Sequence, residues 1–125
     1  MNTRVAACAC GQLTARCSGE PSSVVLCNCL QCQRRTGSAF GLAAFYRRDA
    51  VEVEGSATGF LRVSEAGEEV LFHFCSTCGS TVYWEPSRKP ESIAVAVGCF
   101  ADPDFPPPLR SVFEENRHRW VSVSL

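Results

Sequence analysis

Seven of the nine cysteines fall into three short clusters, and their spacing constrains the fold more than any other feature. Cys8 and Cys10 form a C-x-C followed by Gly11. Cys27, Cys29 and Cys32 form a C-x-C-x-x-C. Cys75 and Cys78 form a C-x-x-C followed by Gly79. Two thiolates one or two residues apart can point into one tight turn and share one ion, and a glycine just after lets the backbone take a positive φ and close the turn. The outer pairs, Cys8, Cys10, Cys75 and Cys78, supply four sulfurs. That set closes a tetrahedral structural zinc site and would staple an early segment to a distant hairpin. The middle cluster supplies three sulfurs, and a three-ligand site can carry chemistry.

Three other uses of cysteine compete with zinc. Disulfides need an oxidising compartment. Met1 to Gly11 lacks the apolar core of a secretory leader, no run approaches a transmembrane helix, and nine is odd, so we expect a cytoplasmic chain with reduced thiols and no membrane partner. An iron–sulfur cluster also takes four cysteines, but paired short knuckles from distant parts of the chain resemble zinc ribbons more closely. Buried cysteine as a small core residue suits Cys17, which ends an alternating run, and Cys99, which sits in an apolar one.

A chain of 125 residues is expected to form one domain, 1–125, with a modest core that a metal would support. The formal charge of −1 does not suggest a nucleic-acid binder. Leu13, Ala15 and Cys17 alternate with polar residues from Gln12 to Cys17, which predicts a half-buried strand. Val24–Leu26 predicts a strand that delivers the chain to the middle cluster. Gln31–Gly37 predicts one helical turn, and Ser38–Tyr46 a buried strand. Val51–Glu54 and Phe60–Val63 predict short strands separated by a turn over Gly55–Gly59. Glu65–Glu69 predicts a polar hairpin loop, Val70–Phe74 a strand into Cys75, and Ser80–Glu85 a strand out of the knuckle, with Tyr83 and Trp84 as core and rim. Ile93–Phe100 predicts an apolar strand. Asp102–Pro108 carries four prolines and is loop, and Val121–Val123 predicts a last short strand. The expected fold is mainly β: a single zinc-stabilised domain of short antiparallel strands, arranged as a β-sandwich or open barrel.

The middle cluster has three readings. One is an open three-thiolate zinc site, holding a water or a substrate thiol that attacks an aldehyde. The others are a site closed by a fourth protein ligand, with His73, His118 or an acidic residue as candidates, and a metal-free, reduced cluster. His73 is expected on the strand face opposite Val70, Phe72 and Phe74, in a structural or solvent-facing role. His118, among Asn116, Arg117 and Arg119, is expected in solvent. Arg34 and Arg35 follow the cluster directly and are candidates to offset its negative charge.

The clusters resemble the family of glutathione-dependent formaldehyde-activating enzymes, whose domain is shared with centromere protein V. The residues that carry the resemblance are Cys8-Ala9-Cys10-Gly11, Cys27-Asn28-Cys29-Leu30-Gln31-Cys32 continuing through Arg34, Gly37, Ser38 and Phe40, and Phe74-Cys75-Ser76-Thr77-Cys78-Gly79, with Gly98–Pro103 as a late segment. The resemblance implies a mainly β fold built around zinc. It implies that Cys8, Cys10, Cys75 and Cys78 are structural ligands and that Cys27, Cys29 and Cys32 form a catalytic site. The implied activity joins glutathione to formaldehyde and belongs to the carbon–sulfur lyases. Arg34 or Arg35 would then hold a carboxylate of a glutathione-like substrate. Two positions depart from the family pattern. Asn28 stands where many members carry histidine, and Gln33 where many carry arginine; both would act around the ligands rather than as ligands. The alternative expectation is a non-catalytic, zinc-stabilised module that binds a thiol or a protein.

Overall fold

The computed structural model describes residues 2–64 and 66–125. Glu65, the first residue of the expected hairpin loop, lies outside the described residues. In chain order the strands are β1 (Thr3–Ala7), β2 (Thr14–Ser18), β3 (Ser23–Cys27), β4 (Gly41–Arg47), β5 (Val51–Glu54), β6 (Ala57–Val63), β7 (Glu69–Cys75), β8 (Thr81–Pro86), β9 (Ser92–Ala96) and β10 (Arg110–Val112). A short helix, α1 (Leu30–Thr36), follows the middle cysteine cluster. The strands form a three-stranded sheet, β1-β2-β5, and a seven-stranded sheet, β10-β3-β4-β9-β8-β7-β6. Neither sheet closes, so the fold is mainly β and open, as expected. It is not wholly antiparallel: β10 runs parallel to β3.

Alternation along the strands decides which face meets which. Ala44 and Tyr46 of β4, Ile93 and Val95 of β9, and Val24 of β3 point inward. There they meet Ala6, Leu13, Ala15 and Cys17 of the small sheet and its leading loop. Cys17 is wholly buried in this core, and burial pushes its thiol up to about 12. The opposite residues of the large sheet, Ala43, Phe45, Ala94, Ala96, Trp84, Phe72 and Val70, form a second apolar layer on the outer face.

A bulge sets the position of Trp84. His73 pairs with Tyr83, but Phe74 pairs with Thr81, so Val82 is the extra residue. An extra residue shifts the phase of alternation. Val82 and Tyr83 therefore both pack toward the inner core, and Trp84 turns to the outer face against Phe72, with ring centroids 5.4 Å apart.

Several boundaries differ from those expected. The turn at Gly55–Gly59 shrinks, because β6 begins at Ala57 and pairs along all of β7; ladder pairing outweighs the breaker signal of Gly59. A Cβ at Gly55 would lie 2.1 Å from the Gln12 carbonyl oxygen, so glycine is required there. The apolar strand expected through Phe100 stops at Ala96. A 3₁₀ turn over Val97–Phe100 follows, and Phe100 folds into the core against Phe105, with ring centroids 4.5 Å apart. Val121–Val123 is not a strand. The sheet edge is taken by β10, which pairs with β3 once the proline segment has carried the chain across, and Val121 is buried as a single anchor. β1 was not expected, since Thr3–Ala7 has no clean alternation.

Candidate functional site

Each outer cysteine sits at the mouth of a turn. The N–H of Gly11 donates to the Cys8 carbonyl, and the N–H of Gly79 to the Cys75 carbonyl, each at 3.0 Å. Both glycines have positive φ, 84° and 83°. The turns bring the sulfurs of Cys8, Cys10, Cys75 and Cys78 within 4.8 Å of one another, with Cys8–Cys10 and Cys10–Cys75 at 3.6 Å. A tetrahedral ion with bonds of about 2.3 Å sets its sulfurs about 3.8 Å apart. A disulfide needs about 2.05 Å, and all nine cysteines are free. The donor set therefore fits a metal ion.

Polar hydrogens surround these sulfurs. Cys8 Sγ accepts from the N–H of Leu13 at 3.2 Å. Cys75 Sγ accepts from Gln12 Nε2 at 2.9 Å and from the N–H groups of Thr77 and Cys78, both at 3.3 Å. Burial pushes Cys75 up, but these donors outweigh it and the thiol falls to about 7. The Ser80 hydroxyl, then the Ser80 and Cys10 N–H groups, pull Cys78 down to about 5. Thiolates held this way are prepared to bind an ion.

The middle cluster joins the end of β3 to the start of α1. The sulfurs of Cys27, Cys29 and Cys32 also lie within 4.8 Å of one another. Cys29 caps α1, its sulfur accepting from the N–H of Cys32 at 3.3 Å. Hydrogen bonding from Cys27, then from Cys29, pulls the Cys32 thiol down to about 5 against the cost of burial, and the charges of Arg35 and Arg62 assist. The same bond to Cys32, and then burial, push the Cys27 thiol up. This group too can hold a metal ion. Among the described residues, no fourth cysteine, histidine or carboxylate joins the three.

The two histidines are engaged elsewhere. His73 bonds Glu85 at 2.6 Å and stacks on Tyr83 at 4.3 Å. His118 is not free in solvent, because its Nε2 meets Gln33 Oε1 at 2.8 Å. Gln33 Nε2 donates to the carbonyls of Asn28 at 2.9 Å and Asn116 at 3.0 Å. Asn28 is fully buried and gives its amide to Ser111 Oγ and Val112 O, both at 2.9 Å, and to Glu114 Oε2 at 3.1 Å. The two departures from the family pattern thus tie the cysteine loop to β10 and the C-terminal segment. Asn28→Ala would leave these partners unpaired in a buried place. It should lower the unfolding free energy by about 2–4 kcal/mol, read as a shift of the urea midpoint.

A cleft of about 370 Å³ opens beside the middle cluster on the outer face of the large sheet. Cys27 and Cys32 stand at one end, Ala43, Phe45 and Trp84 form its floor, and Arg35, Arg62, Arg88, Lys89 and Arg110 line it. Arg35 lies 4.3 Å above the Trp84 ring, and Arg62 lies 4.8 Å above Phe72. Their Nε atoms are buried and have no hydrogen-bond partner among the described residues. Glycine at position 41 permits this approach, since a Cβ there would meet Arg35 Nη2 at 2.8 Å and Cys32 Cβ at 3.3 Å.

Of the paired arginines, Arg35 enters the cleft. Arg34 is exposed and borders a neighbouring depression with Phe60, Arg62 and Phe72. Sequence reasoning did not find Arg62, Arg88, Lys89 or Arg110. They come from three distant segments, and only Arg62 carried a signal, alternating in phase with Phe60.

The family model for the glutathione-dependent formaldehyde-activating enzyme matches residues 3–116. A crystal structure of a Rhodobacter sphaeroides protein, solved as a structural genomics target, shares the fold with a TM-score of 0.62. It is 21% identical, and the match covers 86% of this chain and 98% of that one. No curated protein matches this chain. With the three cysteine clusters in order inside the matched span, the chain belongs to the glutathione-dependent formaldehyde-activating enzyme family.

Proposed function

We propose that this chain is a zinc-dependent, carbon–sulfur lyase-type enzyme that makes or breaks a thiol–aldehyde adduct such as S-hydroxymethylglutathione. The observation that carries the reading is that Cys27 and Cys32 line the same cleft as Arg35 and Arg62. Zinc suits all-thiolate sets of this kind, held by Cys8, Cys10, Cys75 and Cys78 as a structural site and by Cys27, Cys29 and Cys32 as the working one. When bound at the three-cysteine site it supplies positive charge that keeps a substrate sulfur in its thiolate form.

The protein's own groups account for the rest. Arg35 and Arg62, with buried Nε atoms that lack partners, would receive a carboxylate of the thiol substrate. The aromatic floor would exclude water from the reacting end. The sulfur lone pair attacks the aldehyde carbon, the C–S bond forms, and the carbonyl π electrons move to oxygen, which takes a proton from solvent. The reverse reaction returns that proton and breaks the same bond. The arginines lower the cost of bringing an anionic thiol to the cysteine end, and hold it in line for attack.

Following S-hydroxymethyl adduct formation by exchange NMR tests the reading. The expected result is a saturable rate above the enzyme-free control. Arg35→Gln should raise KM about 10- to 100-fold, with a smaller change in kcat, as befits one lost charge-assisted bond. A rate no faster than the control would leave the non-catalytic module that binds a thiol.

A further inference from the structure

β6 ends the seven-stranded sheet, and among the described residues no strand pairs with its outer side. An open edge presents a row of unpaired N–H and C=O groups, so edges are normally short, charged or covered. Three other sheet edges follow that pattern. β10 has three residues, β5 carries Glu52 and Glu54, and β1 packs against the 3₁₀ turn Val97–Phe100. β6 has seven residues, no proline and one charge, Arg62, whose guanidinium lies over the Phe72 ring. Its Phe60, Leu61 and Val63 are each more than half exposed.

Register fixes which backbone groups point outward. The N–H of Ser64 donates to the Glu68 carbonyl at 2.8 Å, and the N–H of Ser76 to the Ser56 carbonyl at 3.3 Å. Between these bonds β6 and β7 pair without a shift, from Ala57 with Cys75 to Val63 with Glu69. Bonded and non-bonded pairs alternate in an antiparallel ladder. Thr58, Phe60 and Arg62 therefore spend their backbone groups on β7, and Ala57, Gly59, Leu61 and Val63 turn theirs to the open side.

Two antiparallel copies of β6, related by a two-fold axis at Phe60, match these groups to one another. Ala57 then lies opposite the partner's Val63 and Gly59 opposite the partner's Leu61, and every outward N–H and C=O of the strand is paired. On one face a large side chain meets a small residue each time, Leu61 over the partner's Gly59 and Val63 over the partner's Ala57. On the other face Phe60 meets the partner's Phe60 in a non-bonded pair, where side chains approach most closely. Arg62 there meets the partner's Thr58 rather than a second cation, so the one charge of the strand is not opposed. Sliding the register by two residues sets Gly59 on Gly59 or Leu61 on Leu61, and leaves Val63 or Ala57 without a partner in the strand.

We infer that β6 is the interface of a two-fold homodimer, in which the two seven-stranded sheets join edge to edge. Phe60 and Arg62 border the depression that Arg35, Phe72 and Phe74 also line, beside the cleft. The partner's Phe60 falls diagonally next to Arg62, so each copy adds an aromatic wall to the other's site. Pairing over one strand lies at the small end of specific interfaces, below about 1,200 Å² of total buried area, and gives a reversible dimer with a dissociation constant of about 1–100 μM.

Sedimentation equilibrium of the reduced, zinc-loaded protein over a concentration series tests the pairing, with amide hydrogen exchange read by NMR on the same samples. The mass should rise from one chain to two. The amides of Gly59 and Leu61 should exchange at least about tenfold more slowly in the concentrated sample than in the dilute one, whereas those of Phe60 and Arg62 should be protected by β7 in both. Leu61→Lys, at an exposed position that leaves the circular dichroism spectrum unchanged, should stay a single chain over the same range. A single wild-type chain at every concentration up to about 1 mM overturns the inference and leaves the edge to an extended segment of another protein. A dimer that persists in Leu61→Lys overturns it in favour of another face, as does a dimer whose Gly59 and Leu61 amides exchange at the monomer's rate.

Discussion

Cys75→Ser is expected to leave the chain largely unfolded at room temperature. Cys75 is buried at the end of β7, and its sulfur is the meeting point of the outer group: 3.6 Å from Cys10, with donors from Gln12, Thr77 and Cys78. Gln12 extends the same network to Ser56, accepting its N–H at 2.9 Å, and so ties the small sheet's leading loop to the turn before β6. A structural zinc in a small domain contributes about 10–16 kcal/mol of apparent binding free energy at neutral pH. A domain's whole stability is about 5–15 kcal/mol. Loss of such an ion from these four sulfurs should therefore exceed what the core can replace. Far-ultraviolet circular dichroism should show loss of the β spectrum, and limited proteolysis should cut throughout the chain. A folded variant with a urea midpoint near wild type would show that the four sulfurs are not the staple of the fold.

Cys29→Ser is expected to behave in the opposite way, removing activity and sparing the fold. The loop it sits on is held by other means. Asn28 bonds to β10 and Glu114, and Gln33 bonds to Asn28, Asn116 and His118. These bonds do not pass through the sulfur. The serine hydroxyl can also keep the cap on α1, since it accepts from the same N–H. The unfolding free energy should change by less than about 2 kcal/mol. The adduct-forming rate should fall to that of the enzyme-free control. Retention of the full rate in a folded Cys29→Ser protein would remove the middle cluster from the mechanism.

The cysteine geometry was legible because it is local. C-x-C and C-x-x-C confine two sulfurs to one turn whatever the rest of the fold does, and Gly11 and Gly79 close those turns with positive φ. Alternation likewise placed most strands, since a sheet with one face in the core imposes period two. The composition of the cleft was not legible. Cys32, Arg62, Lys89 and Arg110 span nearly eighty residues, and only the strand order β10-β3-β4-β9-β8-β7-β6 brings them to one face. Tyr83 and Trp84 were expected as core and rim, and nothing in Thr81–Pro86 marks the bulge. The extra residue at Val82 is what turns the ring into the cleft floor. His118 was assigned to solvent from its charged neighbours, whereas its partner Gln33 lies 85 positions away in sequence. β10 escaped notice because three residues after a proline run carry no periodicity, and a parallel partner at β3 cannot be read from either segment alone.

The metal-to-protein ratio of untagged, reduced protein, measured by elemental mass spectrometry beside Cys29→Ser after reloading both with zinc, tests the central claim most directly. Two separate cysteine centres predict a zinc ratio near two in the wild-type protein and near one in the variant, with the circular dichroism spectrum unchanged between them. A ratio near one in both proteins after reloading would contradict the account, because the middle cluster would then hold no metal and the cleft beside it would lack the centre on which the proposed chemistry depends.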